Sequence, residues 1–160
     1  MPIHSLRAMF DTNIYELLLD EANANKVRNL VHANSLIVYG CKLIRDELRD
    51  TPTYKRIGGE NLRIVLLQTY DSLVQARSYP IGIEIEALAK EYLNAYRGGV
   101  SRSKILPDFT IIAAATIHRL DIVVSEDDRT MKSGPAKSVY EKINKEKMYQ
   151  TPRFLKLKEL

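Results

Sequence analysis

Apolar residues recur along this chain in two rhythms, one helical and one of short continuous runs. The first run, Ala8-Met9-Phe10, ends on Asp11 and is too short for its period to assign. Ile14, Leu17, Leu18, Val27, Leu30 and Val31 then follow at helical spacing, which predicts a helix over about 13–32 with Thr12 or Asn13 as its cap. Ser35-Leu36-Ile37-Val38-Tyr39 is β-branched and apolar, the pattern of a buried strand, and Gly40 is expected at the turn. Residues 42–50 place Leu43, Ile44 and Leu48 on one helical side, with Pro52 just beyond the end. TPTYKRIGGEN (51–61) has the composition of a loop.

A helix is predicted from Leu62 to about Ser78, stopped by Pro80 and Gly82. The next spans 83–97, with Ile85, Leu88, Ala89, Tyr92, Leu93 and Tyr96 as a core-facing stripe and Arg97-Gly98-Gly99 as its stop. After the polar loop VSRSKILP, Pro107-Asp108 reads as a helix first turn, and FTIIAAATIHRL is apolar enough to be central. Asp121-Ile122-Val123-Val124-Ser125 is a second clear strand. The polar EDDRTMKSGP precedes a charged helix at about 137–148, and the tail TPRFLKLKEL either adds a last strand or trails off. Buried strands separated by helices imply an α/β fold: three layers, with a central, mainly parallel sheet covered on both faces. The length of 160 residues suits one domain over 1–160. In such sheets ligands bind at the carboxyl ends of the strands, so the residues following each strand carry the interest.

Composition narrows the picture modestly. Charged residues at 28% and hydrophobic residues at 45% are ordinary for a globular chain. No apolar stretch approaches the ~18 residues that span a bilayer, and the N-terminus lacks a signal-peptide core, so the expected location is cytoplasmic. The lone Cys41 excludes an internal disulfide and a cysteine-built zinc site. A net charge of +4 permits a polyanionic partner without demanding one.

The acids after the strands are the candidate chemistry. Asp11 ends the first strand, Glu47 lies about two turns into the helix after the second, Asp108 opens the apolar helix, and Glu126, Asp127 and Asp128 follow Ser125. Each has a structural reading alone: Asp11 as a helix cap, Glu47 as a solvated helix face, Asp108 as a complement to the helix dipole, Asp127 and Asp128 as turn formers. Together, on one edge of a parallel sheet, they would repel one another unless a cation lay between them. A hard divalent ion with oxygen ligands, Mg2+ or Mn2+, meets that need, and such an ion serves phosphodiester hydrolysis.

These segments resemble the PIN-domain family of metal-dependent ribonucleases, VapC-like members among them. The carrying motifs are Phe10-Asp11-Thr12-Asn13, Glu47-Leu48, Pro107-Asp108-Phe109-Thr110-Ile111-Ile112-Ala113-Ala114-Ala115 and Ser125-Glu126-Asp127, in order, over about residues 7–130. The resemblance implies that Asp11, Glu47, Asp108 and Asp127 ligate Mg2+ or Mn2+, with Asp128 in reserve for the fourth acid. Ser125 would stand beside them as a hydroxyl donor and Asn13 as a supporting polar group. Many relatives carry another Asp or Asn two positions after the fourth acid; here that position is Arg129, which suits a phosphate contact or a salt bridge to a neighbouring acid. Arg102 and Lys104 before Asp108, and Lys42 and Arg45 on the Glu47 helix, are the cations expected to draw in the RNA backbone.

The resulting expectation is an endoribonuclease, either a toxin neutralised by a small antitoxin or an RNA-processing enzyme, acting on single-stranded or structured RNA as a homodimer. The alternative is the same fold as a catalytically weak RNA-binding or assembly scaffold. A flap-cutting DNA nuclease is disfavoured because the chain lacks a long inserted arch. A phosphatase is rejected because Asn13 stands where a D-x-D nucleophile motif needs its second Asp. His4, His32 and His118 show no ligand spacing, the tyrosines fall on helix stripes, and the glycine pairs lack the phosphate-loop pattern.

Overall fold

A computed structural model describes residues 4–160. The strand β1 (Leu6–Phe10) runs into α1 (Thr12–Leu17) and α2 (Glu21–His32), followed by β2 (Leu36–Cys41) and α3 (Lys42–Arg49). A hairpin of β3 (Arg56–Ile57) and β4 (Glu60–Asn61) leads to α4 (Leu62–Val74) and β5 (Ser78–Tyr79). Then come α5 (Ile83–Ala95), α6 (Arg102–Ile117), β6 (Ile122–Val124), α7 (Gly134–Glu146), β7 (Arg153–Leu155) and a closing 3-10 turn (Leu157–Glu159). The main sheet has the order β5-β2-β1-β6-β7, with every pairing parallel. Helices cover both of its faces, giving the expected three-layer α/β/α, PIN-like architecture.

The central position of β1 explains its sequence. It pairs with β2 on one side and β6 on the other, so Ala8, Met9 and Phe10 are all fully buried although they point alternately to opposite faces. Ile122, Val123 and Val124 of β6 are buried for the same reason. The run Ala113-Ala114-Ala115 is buried on all sides, as the sequence suggested for a central helix.

Several local expectations change. The helix expected over 13–32 is two helices, because the Asp20 carboxylate accepts from Asn23 N–H at 3.1 Å and caps a new start. Gly40 lies inside β2 instead of at a turn: a Cβ there would sit 2.1 Å from the Tyr70 hydroxyl, which donates to the Cys41 carbonyl at 3.1 Å. The stretch 51–61 holds the β3–β4 hairpin, turned by Gly58 at φ +59° and Gly59. The helix expected to reach Ser78 stops at Val74, where Gln75 takes φ +53°, so that Ser78 and Tyr79 can pair with Gly40 and Cys41. The charged helix starts at Gly134, capped by Ser133, and the tail does form a last strand, β7, on β6.

The correction with most consequence concerns Asp108. α6 begins at Arg102, so Pro107 sits inside it and Asp108 lies in its second turn. The dipole of the helix start therefore does not account for this acid, because that effect fades within the first turn.

Candidate functional site

Asp11 stands where β1 leaves the sheet, and its backbone N–H is still in the ladder, donating to the Val124 carbonyl at 2.9 Å. Its carboxylate caps α1, accepting from Thr12 N–H at 2.8 Å, and also accepts from the Ser125 hydroxyl at 2.7 Å and the Asn13 amide at 3.2 Å. Ser125, fully buried at the end of β6, in turn accepts from the backbone N–H of Asp127 at 3.0 Å. One hydroxyl thus ties the first acid to the loop of the fourth. Asn13 ties the same loop again, its carbonyl oxygen accepting from Glu126 N–H at 3.3 Å.

Glu47 is brought in by α3, which starts at the carboxyl end of β2. The Thr12 hydroxyl donates to Glu47 Oε1 at 3.1 Å, so the residue after the first acid holds the second. Asp127 folds its own turn, with Oδ1 accepting from the N–H groups of Arg129 (3.0 Å) and Thr130 (2.9 Å), and Oδ2 from the Thr130 hydroxyl. Asp108 comes from α6, and its surroundings include Asp11, Asp127, Glu47 and Thr130. Four acids remote in sequence thus share one corner at the carboxyl edge of the sheet.

The electrostatics of that corner are unbalanced. Burial, aided by the charges of Asp11, Asp127 and Glu47, pushes the Asp108 carboxyl up to about 7. Burial also raises Asp11, against the hydrogen bonds from Ser125 and Thr12, and raises Glu47, against the one from Thr12. Asp127 goes the other way: burial opposes its charge, but the Thr130 hydroxyl and the N–H groups of Thr130, Arg129 and Met131 together outweigh it and hold the carboxyl low. Behind the corner, burial pushes the Cys41 thiol up to about 11, and Glu47 and Asp11 push in the same direction, so sulfur stays a neutral packing group.

The remaining candidates divide. Asp128 is exposed and turned to cations, with Lys132 Nζ at 3.1 Å and Lys156 Nζ at 3.0 Å, and it makes no hydrogen bond to the other acids. Lys42 pairs with Asp46 at 2.5 Å, and Arg45 makes a two-pronged pair with Asp71 at 2.9 Å. Arg102 donates to the Leu93 carbonyl and the Asn94 side chain, bracing α6 on α5. Lys104 and Arg129 are exposed and, among the described residues, in no ion pair. Sequence reasoning gave Thr12 only a helix cap and a place in the first motif, and it passed over Thr130 and Lys132. Lys132 gave no signal, since its side chain is only 5% exposed through the fold of the 125–133 loop, where its charge favours the ionised form of Asp11.

The donors gathered here are all oxygens with a surplus of negative charge, which fits a hard divalent cation and not a soft one. Among the described residues no three Asp, Glu, His or Cys side chains close into a ready-made coordination sphere. Asp11 and Asp127 instead direct oxygens to Thr12, Asn13, Ser125, Thr130 and the Arg129 backbone.

Comparison with known proteins finds the fold and not a sequence relative. No family model matches the chain, and no curated protein matches it. Among solved structures, a chain of VapBC2 from Rickettsia felis, bound to a DNA fragment from their promoter, matches at 11% identity and TM-score 0.59, over 94% of this chain and 98% of that one. FitAB bound to an IR36 DNA fragment matches at 19% identity and TM-score 0.58, over 96% of each chain. FitAcB from Neisseria gonorrhoeae matches at 19% identity and TM-score 0.58, over 96% and 99%. No helix among the described residues is long and apolar enough to cross a membrane.

Proposed function

We propose that this chain is a Mg2+- or Mn2+-dependent endoribonuclease of the PIN type, acting in the cytoplasm as a homodimer and restrained by a small antitoxin protein. The observation that carries the reading is the convergence of Asp11, Glu47, Asp108 and Asp127 at one sheet corner, with Asp108 pushed up to about 7 by burial among them. Asp11, Glu47, Asp108 and Asp127 are the residues that would hold the ion. A divalent cation bound there supplies charge to a phosphodiester oxygen and a water of lowered pKa. The chain's own groups supply order. Ser125 and Asn13 fix Asp11, Thr12 fixes Glu47, and the Thr130 hydroxyl holds Asp127 ionised. Arg129 and Lys104, exposed and unpaired among the described residues, are the cations best able to meet the RNA backbone. Lys42, Arg45 and Arg102 would first have to leave their present partners. The fold shared with VapBC2 and FitAB, which are assemblies on DNA, supports the antitoxin partner.

The test is incubation of the purified protein with single-stranded RNA and, separately, flap DNA, in Mn2+ and then in EDTA, with Asp11→Asn in parallel. Cleavage of RNA alone, lost in EDTA and in the variant, is the expected result. RNA binding without cleavage would make the chain a scaffold, and cleavage of the flap would make it a DNA nuclease.

A further inference from the structure

The segment between α3 and α4 carries chemistry that the acid corner does not use. α3 leaves the sheet at the carboxyl end of β2, and α4 returns to β5, which runs parallel to β2. The segment that leads into the β3–β4 hairpin begins within a turn of Glu47, with Asp50 N–H donating to the Glu47 carbonyl and Thr51 N–H to the Leu48 carbonyl, each at 3.2 Å. The Thr12–Glu47 hydrogen bond holds the end of α3 at the acid corner, and the hairpin segment departs from that end.

The hairpin's own backbone is well held. Lys55 N–H donates to the Pro52 carbonyl at 3.2 Å and Leu62 N–H to the Lys55 carbonyl at 3.0 Å. The Asn61 side chain caps α4 and donates to the Thr53 carbonyl at 2.8 Å. On this fixed frame Tyr54 is 80% exposed, with the exposed Lys55 and Arg56 directly after it and Arg63 in the first turn of α4. None of these three cations is in an ion pair among the described residues, whereas Lys42, Arg45 and Arg49 on α3 all are. The one acid on the hairpin, Glu60, is paired by register with Ile57 and not with a cation. The tip is open, since a Cβ at Gly58 or Gly59 would meet nothing within 4 Å.

A single exposed tyrosine is ordinary. A tyrosine held between fixed backbone anchors, followed by unpaired cations, on a segment that departs from a phosphodiester site has the make-up of a single-strand platform, in which an aromatic face stacks a base and cations follow the backbone. We propose that the β3–β4 hairpin grips single-stranded RNA for the acid corner, Tyr54 stacking on an unpaired base and Lys55, Arg56 and Arg63 holding the flanking phosphates. This rests on the ribonuclease reading above and names the residues that would seat its substrate.

The test measures binding with no cleavage, by fluorescence anisotropy of a labelled oligouridylate and of a labelled RNA duplex with the full chain in EDTA. Tyr54→Ala should weaken single-strand binding roughly 5- to 100-fold, the size of one lost base stack, while Tyr54→Phe binds like the wild type and duplex binding is unmoved. Lys55→Ala with Arg56→Ala should reduce the slope of log K against log salt by about 1.4, the value for two phosphate contacts on a single strand. These residues are exposed, so the variants should melt with the wild type, which checks that the fold is intact. Unchanged single-strand affinity in Tyr54→Ala and in the double variant, while the wild type still cuts RNA in Mn2+, overturns the grip and leaves the ribonuclease reading standing. A change in oligomeric mass in Tyr54→Ala without a change in RNA affinity overturns it too, and makes the hairpin a contact between copies. A wild type that neither binds nor cuts RNA overturns both.

Discussion

Asp108→Asn should make the metal-free protein more stable at neutral pH while removing its activity. The Asp108 carboxyl is lifted from 3.8 to about 7 in the folded chain, by burial and by Asp11, Asp127 and Glu47. An acid whose folded value is raised binds its proton more tightly when folded. Its contribution to stability is therefore lost as pH rises from about 4 through about 7 and stays lost above. At about 1.4 kcal/mol per unit, the full rise corresponds to an upper limit of about 4 kcal/mol at pH 8. Asn keeps the volume and drops the charge, and half of the limit, about 2 kcal/mol, is a working expectation once the neighbours readjust. For a chain of this size that is roughly 4–8 °C in melting temperature. The assay is thermal or urea unfolding of both proteins in EDTA at pH 4 and pH 8, then at pH 8 with Mn2+. Taking the difference between the two proteins cancels the opposite pH dependence of Asp127, Asp71 and Asp46, whose carboxyls are held low. The variant should match the wild type at pH 4, exceed it at pH 8, and lose that lead when Mn2+ stabilises only the wild type. At a hundred times the Kd, the ion is worth about 2.7 kcal/mol. Equal stability at pH 8 without metal would refute the claim that burial and the neighbouring acids penalise a charged Asp108, and with it the reason for a cation.

Further outcomes follow from other contacts. Asp127→Asn should abolish Mn2+ binding in calorimetry and RNA cleavage in a gel assay, whereas Asp128→Asn, whose exposed carboxylate meets only Lys132 and Lys156, should leave both intact. Thr12→Val removes the 3.1 Å bond that holds Glu47. It should weaken Mn2+ binding about fivefold, the worth of one hydrogen bond of about 1 kcal/mol, with little change in melting temperature. Gly40→Ala forces a Cβ against the buried ring of Tyr70 and should cost about 1–3 kcal/mol of unfolding free energy in urea, without touching the metal affinity of the soluble fraction.

What the sequence revealed, and what it hid, follows the range of the forces involved. The strands of the sheet centre were legible because a strand buried on both faces, like Ala8-Met9-Phe10 or Ile122-Val123-Val124, has no polar alternative. The edge strand β5 was not, since two residues, Ser78 and Tyr79, join the sheet only because Gln75 turns the chain back toward β2. The break at Asp20 was missed because a cap inside an apolar-periodic stretch looks like one more polar face. Pro107 misled in a definite way: its usual place is a first turn, yet α6 starts five residues earlier, and the loss of one backbone hydrogen bond is tolerated within a helix that buries Phe109 and every residue from Ile111 to Thr116. The acids were legible as residues that follow strands. Their hydroxyl tethers were not, because nothing in the sequence says that Thr12 meets Glu47 across 35 positions or Ser125 meets Asp11 across 114.

Asp11 shows why the structural and functional readings of such acids are not rivals. It is a helix cap and, by proposal, a metal ligand, and both roles need an oxygen at the point where β1 ends. The cap explains how the carboxylate is held: Thr12 N–H and Ser125 Oγ–H fix both oxygens within a buried corner, so little side-chain freedom is left to lose when an ion arrives. The same argument explains Asp127, whose turn hydrogen bonds hold its carboxyl low beside Asp108, whose carboxyl burial pushes up to about 7. A corner of this kind contains one carboxyl prepared to bind and another that must give up a proton, so ion uptake at pH 6 should release protons and become progressively weaker below it. Asn at position 11 keeps the cap to Thr12 N–H through its one oxygen, but it puts an amide donor where Oδ2 accepts from Ser125 and Asn13. Asp11→Asn therefore removes the charge together with the Oδ2 acceptor and keeps the cap, so loss of activity without loss of fold in that variant assigns the role to the Asp11 carboxylate and not to the helix cap.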